Sequence, residues 1–263
     1  MSTSRAQIIA TIGPASESIE TLTAMLDAGM DIARLNFAWD ACDGHEDHIQ
    51  MLRSLPRHVP IIQDLPGPRI QHEHGHEHNT ALPGFTDGDA ELIACAATHR
   101  LEWVAVSFVR DASDIERCRT AIAGHGATSR IIAKIERPEA LEHLDEIIAA
   151  ADAVMVARGD LGQNIPIEQV PFVQADIIAR CNAAHKPVIV ATQMLMSMTE
   201  SSEPTRAEVT DVAEAIMQGA DAVMLSEESA VGKHPTLAVA TMEKVVLESE
   251  RHRDSTKPIN PLS

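Results

Sequence analysis

Tyrosine is absent from this 263-residue chain, and aromatic residues together make up 2% of it. So few rings cannot build the stacking platforms that single-stranded nucleic acids need. Basic residues are scarce as well: 21 Lys and Arg face 39 Asp and Glu, for a formal charge of −18. Such a surface disfavours nucleic acid and anionic membranes as partners, because each needs positive charge. An anionic small molecule would have to meet a local cluster of cations or a metal ion. Long hydrophobic runs are missing too. No stretch approaches the ~20 apolar residues that span a bilayer, and the start, MSTSRAQIIATIG, is too short in apolar residues for a signal peptide. Cysteine is limited to Cys42, Cys95, Cys118 and Cys181, with no C-x-x-C pair. All four fall in segments of helical pattern, which reads as reduced thiols in a cytoplasmic protein.

What is present is a rhythm. Hydrophobic residues make up 44% of the chain, enough for a full core. Short β-branched runs alternate with amphipathic segments from end to end. The predicted strands are Gln7–Ile12, Ile32–Phe37, Pro60–Asp64, Trp103–Phe108, Arg130–Ile135, Ala153–Ala157, Pro187–Thr192 and Ala222–Leu225. The first helix has Ser16 as its expected N-cap and Gly29 as its stop. Pro138, Pro171 and Pro235 stand near later helix starts, where a missing N–H costs nothing. Eight β-α units in series fit a single-domain α/β protein, a (β/α)8 TIM barrel, with an open doubly wound sheet as the alternative. No linker divides the chain. The expected division is a barrel over residues 1–250, with a short His-rich loop at 71–80, and a polar, frayed tail over 251–263.

In such a barrel, chemistry sits at the carboxyl ends of the strands. Those ends carry Thr11, then Arg34 and Asn36, then Asp64, Ser107, Lys134 with Glu136, Arg158-Gly159-Asp160, Thr192, and Ser226 with Glu228. Lys134 and Glu136 are two apart on one strand, so both face the mouth. Glu136 and Asp160 on neighbouring strand ends suit one Mg²⁺ or Mn²⁺, which takes one or two carboxylates and fills its shell with water and substrate oxygens. Lys134 and Arg34 add positive charge beside it. The set suits a small oxo acid and an enolate-like intermediate. Bland alternatives stand beside this: a rim ion pair for Lys134–Glu136, a helix cap for Asp160, a satisfied hydroxyl for Thr192, a turn residue for Asp64.

"ATIGPAS" (10–16), "DAGMDIARLNF" (27–37), "VSFVR" (106–110), "IIAKIERPEAL" (131–141), "ARGDLG" (157–162), "KPVIVATQML" (186–195), "PTRAEVTDVAEAI" (204–216) and "GADAVMLSEESAVGKHP" (219–235) resemble the pyruvate kinase family, in order, from about Ala6 to Lys244. The resemblance implies the family's central barrel. It implies that Lys134 stabilises the enolate, that Glu136 and Asp160 hold the divalent metal, and that Arg34 meets phosphoryl or carboxylate oxygens. Gly159, Asp160 and Thr192 would cradle the substrate and its protonation face, with Ser107 beside them.

There are departures from the family pattern. The family inserts a lid domain after the third strand; here "HEHGHEHN" (72–79) stands at that junction. The chain ends where the family's C-terminal domain would follow. Ala38, Trp39, Asp40, Leu65 and Gln71 replace residues that the family uses for K⁺ and nucleotide, and Arg69 replaces an acid, so K⁺ is expected not to be required. His72, His74, His76 and His78 have three readings: a solvated loop, a short lid bringing an imidazole to the substrate, or capture of a transition metal. His45 and His48 are further candidates, more simply read as a surface helix. The expectation is therefore a metal-dependent enzyme acting on pyruvate, oxaloacetate or phosphoenolpyruvate through its enolate, with a carbon–carbon lyase (decarboxylase or aldolase) preferred. A minimal pyruvate kinase and a non-catalytic ligand-binding relative are the alternatives. A homodimer or homotetramer is expected.

Overall fold

The computed structural model describes residues 4–72, 75–253 and 259–262; of the strands within 71–78 only the backbone is described. The strands are β1 (Gln7–Thr11), β2 (Ile32–Asn36), β3 (Ile61–Asp64), β4 (Arg69–His72), β5 (Gly75–His78), β6 (Trp103–Val106), β7 (Arg130–Ile135), β8 (Ala153–Ala157), β9 (Val188–Ala191) and β10 (Ala222–Leu225). The helices are α1 (Ile19–Ala28), α2 (Cys42–Arg53), α3 (Asp87–His99), α4 (Ala112–Gly124), α5 (Pro138–Glu142), α6 (Leu144–Ala150), α7 (Arg158–Asn164), α8 (Val170–Ala183), α9 (Arg206–Gln218), α10 (Glu227–Ala230) and α11 (Pro235–His252). Eight parallel strands close a ring in chain order, β1-β2-β3-β6-β7-β8-β9-β10, with β10 pairing back to β1. The barrel reading holds and the open sheet does not.

Strand parity explains both cores. Outward residues such as Ile8, Leu35, Val104, Ile131, Val154 and Val190 pack under the helices. Inward residues, among them Ile9, Ile32, Ile62, Trp103, Ile132, Met155, Ile189 and Met224, fill the ring. Period two then places Lys134 directly above Ile132 on the same inward column of β7, with Glu136 one step further. The apolar plug thus becomes the polar mouth without any break in pattern.

Several expectations need correction. The N-cap of α1 is Ser18, whose hydroxyl accepts from Thr21 N; Ser16 is buried two residues earlier, its Oγ accepting from Gly13 N in the preceding turn. Gly29 does end α1, with φ of 120°. The His-rich segment is not a plain loop. β4 and β5 form an antiparallel hairpin that pairs Arg69 with His78, Gln71 with His76 and His72 with Gly75, while His74 lies outside the described residues. Cys42 and Cys95 are joined in a disulfide between α2 and α3, not reduced; their Cα atoms are 5.6 Å apart. Cys118 and Cys181 are free and buried, as expected of them.

The tail is also not frayed where it is described. Leu262 is fully buried in the ring's inner cluster. Its N–H donates to Gln7 Oε1 at 2.7 Å, its carbonyl accepts from Arg130, and Asn260 N donates to Asp221 Oδ1 at 2.7 Å. The Arg130 guanidinium lies 3.9 Å over the Trp103 ring. Leu262 thus packs into the end of the barrel opposite the mouth. Leu262→Ala is expected to cost about 2–5 kcal/mol, the range for a buried leucine. Urea unfolding of the variant checks this; an unchanged midpoint would mean the plug contributes nothing.

Candidate active site

The mouth is built around Asp64. Parallel pairing sets Asn36 opposite Asp64 and Thr11 opposite Arg34, which aligns the ends of three strands. Arg34 Nε donates to Asp64 Oδ2 at 2.8 Å, and its Nη1 donates to Thr11 Oγ1 at 3.0 Å. Lys134 Nζ donates to Asp64 Oδ1 at 3.0 Å and to Ser107 Oγ at 2.8 Å. Ser107 in turn donates to Leu65 O at 2.6 Å. All five side chains are buried. Asp64 is therefore the shared counterion of two cations, not a turn residue. Burial pushes its carboxyl upward, but the Arg34 and Lys134 charges outweigh burial and hold it at about 2.

Glu136 completes the group. Its Oε1 lies 3.2 Å from Lys134 Nζ, and its Oε2 accepts from Phe108 N at 2.6 Å. Burial raises its carboxyl to about 7; Lys134 opposes the rise, and the Asp160 charge adds to it. A buried carboxyl driven upward by burial and by a second carboxylate marks a place where a cation would be stabilised. Asp160 lies in the first turn of α7, and Asn164 on that helix bridges Asp160 O and Glu136 O through one amide, at 2.8 and 3.0 Å.

Thr192 and Gly159 form a second group. Gly159 N donates to Thr192 Oγ1 at 2.7 Å, and that hydroxyl donates to Ala191 O at 2.6 Å. A Cβ on residue 159 would stand 3.3 Å from Thr192 Oγ1, so glycine allows the close approach. Thr192 and Gln193 adopt φ of 71° and 53°. A β-branched residue in the left-handed region is strained and persists only where its surroundings enforce it. Arg158 does so: its Nη2 donates to Thr192 O at 2.8 Å while its Nη1 pairs with Asp211 at 2.6 Å. Arg158 thus fixes the loop.

The remaining candidates scatter. Asn36 Oδ1 accepts from Ala38 N and shapes the turn after β2. Arg69 opens the hairpin, and its Nε is buried without a hydrogen-bond partner among the described residues. His72, His76 and His78 sit on the hairpin strands. His45 is not on a surface: it is buried, its ring lies 4.5 Å from Phe37, and burial lowers its pKa. Glu228 is buried and accepts from Leu195 N and Ser226 N, bracing two strand ends. Sequence reading missed Arg137, which is fully buried and donates to Phe108 O at 3.1 Å and Thr80 O at 3.2 Å. It also missed Asp114, which accepts from Gly84 N and Phe85 N. Together they fasten the segment returning from the hairpin to the mouth. Arg137 lies inside "IIAKIERPEAL", between Glu136 and the Pro138 helix start, and only that adjacency could have signalled it.

The family model "Pyruvate kinase, barrel domain" matches residues 3–81 and 76–239, breaking at the hairpin. The pyruvate kinase of Thermococcus litoralis is 34% identical over an alignment of 336 residues, covering 95% of this chain and 71% of that protein. That alignment is longer than the chain itself, so the relative carries residues with no counterpart here. A pyruvate kinase of Mycobacterium tuberculosis is 33% identical, covering 98% of this chain and 72% of its own length. That of Thermotoga maritima is 45% identical over 77% of this chain and 44% of its own. Matches of this extent run through every strand that lines the mouth, and the chain belongs to the pyruvate kinase family.

Proposed function

We propose that the chain transfers the phosphoryl group of phosphoenolpyruvate to ADP. The observation that carries this reading is the buried Lys134 ammonium, held by Asp64 and Ser107 beside the Glu136 carboxylate. In the transfer, the bond between phosphorus and the enol oxygen breaks, and a bond to the terminal oxygen of ADP forms. Negative charge develops on the enol oxygen. Lys134 would stabilise it with a buried positive charge that Asp64, Ser107 and Glu136 already hold at the mouth. Arg34, fixed through Nε and Nη1, would orient phosphoryl or carboxylate oxygens. The enolate then takes a proton at its methylene carbon, on the face assigned to Thr192. Glu136 and Asp160 would hold Mg²⁺ or Mn²⁺, since Glu136 rises under burial and the Asp160 charge in a way that a cation would relieve. That ion, when bound, would neutralise charge on the transferring group.

The preference for a carbon–carbon lyase draws no support from the relatives, each of which is named pyruvate kinase. That preference follows from the replaced residues Ala38, Trp39, Asp40, Leu65 and Gln71 and from the missing lid domain. Those replacements bear on the nucleotide side and leave the enolate side whole. The deciding assay incubates the protein with phosphoenolpyruvate, ADP and Mg²⁺ and follows ATP and pyruvate together. Equal formation of both is expected. Pyruvate without ATP, or loss of oxaloacetate in place of transfer, would overturn the reading, as would ligand binding with no turnover.

A second expectation concerns K⁺. Leu65 is fully buried in apolar core and offers no side-chain oxygen, and Ala38 offers none either. Turnover is expected to be the same when K⁺ is replaced by tetramethylammonium. A K⁺ requirement in steady-state assays would contradict this.

A further inference from the structure

We propose that Cys42, Cys95 and His99 form a redox-gated site for Zn²⁺, closed as a disulfide and opened by reduction. Cys42 is the first residue of α2, and Cys95 and His99 stand one turn apart on α3. Positions i and i+4 of a helix share one face. The two sulfurs and a ring nitrogen of His99 all lie within 4.8 Å of one another. A tetrahedral Zn²⁺ at ~2.3 Å from sulfur and ~2.0–2.1 Å from nitrogen needs such donors about 3.4–3.8 Å apart, a small adjustment once the sulfurs separate. Cys42 and His99 are half-buried, so an ion can enter from solvent, while Cys95 is buried.

The chemistry of the donors selects the ion. Two thiolates and an imidazole suit zinc, and three protein ligands leave the fourth position to water. Reduction by a thiol reductant breaks the Sγ–Sγ bond, delivers two electrons and two protons, and releases the reductant as its own disulfide. Zn²⁺ then displaces both thiol protons to solvent, and His99 contributes a neutral ring nitrogen. The other two cysteines do not compete, because burial pushes the Cys118 and Cys181 thiols up to about 12. The site lies on helices outside the strand ring and is independent of the proposed phosphoryl transfer.

The test uses Co²⁺ as a coloured stand-in for Zn²⁺. The full chain is compared in its disulfide form and after reduction by a phosphine, which becomes phosphine oxide and offers the metal no thiolate. The reduced protein is expected to take up stoichiometric Co²⁺ with a thiolate-to-cobalt charge-transfer band and tetrahedral d–d bands, all erased by Zn²⁺. The disulfide form is expected to show no charge-transfer band. The histidines of 72–78 and the mouth carboxylates bring no sulfur and cannot produce one. Cys42→Ser should abolish the band. His99→Ala, which leaves the disulfide and hence the fold intact before reduction, should weaken Co²⁺ binding beyond the roughly 10–100-fold that loss of an outer partner brings. A reduced protein that keeps its circular dichroism yet shows no such band overturns the proposal. So does a band unchanged in either variant, or loss of the fold on reduction.

Discussion

Lys134→Met is expected to lower kcat for phosphoenolpyruvate turnover by roughly 100- to 1000-fold, the usual cost of removing one preorganised donor to a developing oxyanion. Methionine keeps much of the volume in the pocket while removing the charge. The loss should fall on kcat more than on KM, because the ammonium meets a charge that develops only during the reaction. Exchange of the pyruvate methyl protons, followed by proton NMR in deuterium oxide, isolates the same step without nucleotide and should fall in parallel. Mg²⁺ binding should persist, since the Glu136 and Asp160 carboxylates are untouched. Folding should survive as well, because Asp64 keeps Arg34 as a partner at 2.8 Å. Unchanged exchange in the variant would remove Lys134 from its role.

Asp64→Ala carries the larger structural consequence. Two buried cations lose their common carboxylate, and breaking such a group by deleting one partner costs about 3–5 kcal/mol. Lys134 also loses the contact that fixes its position, so kcat should fall along with stability. Asp64→Asn separates charge from shape. The wild-type carboxyl sits at about 2 against an ordinary value of 3.8. A depressed carboxyl contributes stability that is fully present above the unfolded value and disappears as pH falls through the folded one. Here that contribution is about 2–3 kcal/mol, present above about pH 4 and lost toward pH 2. Urea unfolding of the wild type and Asp64→Asn across that window measures it. The asparagine variant should lose less stability on acidification; equal losses would mean Asp64 is not the group responsible.

Much of this arrangement was legible in the sequence because it follows from short-range rules. Alternation every second residue gave Arg130–Ile135, Ala153–Ala157 and Ala222–Leu225 with their observed bounds, and put Lys134 and Glu136 on the inward side. The same rule grouped Arg34, Asp64 and Ser107 at the mouth. It did not show that Asp64 is the hub, because the three groups that meet there come from strands 27 to 70 residues apart in pairs such as Lys134–Asp64 and Lys134–Ser107. Leu262 was misread for the same reason: its partner Gln7 is 255 residues away, and local polarity alone describes a loose tail. The disulfide joins cysteines 53 residues apart, each of which looks like an ordinary helical residue by itself. Ser16 and Ser18 both satisfy the local rule for a cap, and the tight turn at Gly13 decides between them. Arg137 escaped notice because a buried arginine that braces backbone carbonyls has no pattern of its own.

The most direct measurement of the enolate pocket is a crystal structure grown with Mg²⁺ and oxalate, a planar mimic of enolpyruvate. Glu136 and Asp160 are expected on one ion, with oxalate bridging that ion and the Lys134 ammonium while Asp64 keeps its hold on Arg34. An ion held elsewhere, or oxalate bound away from Lys134, would contradict the mechanism at its root.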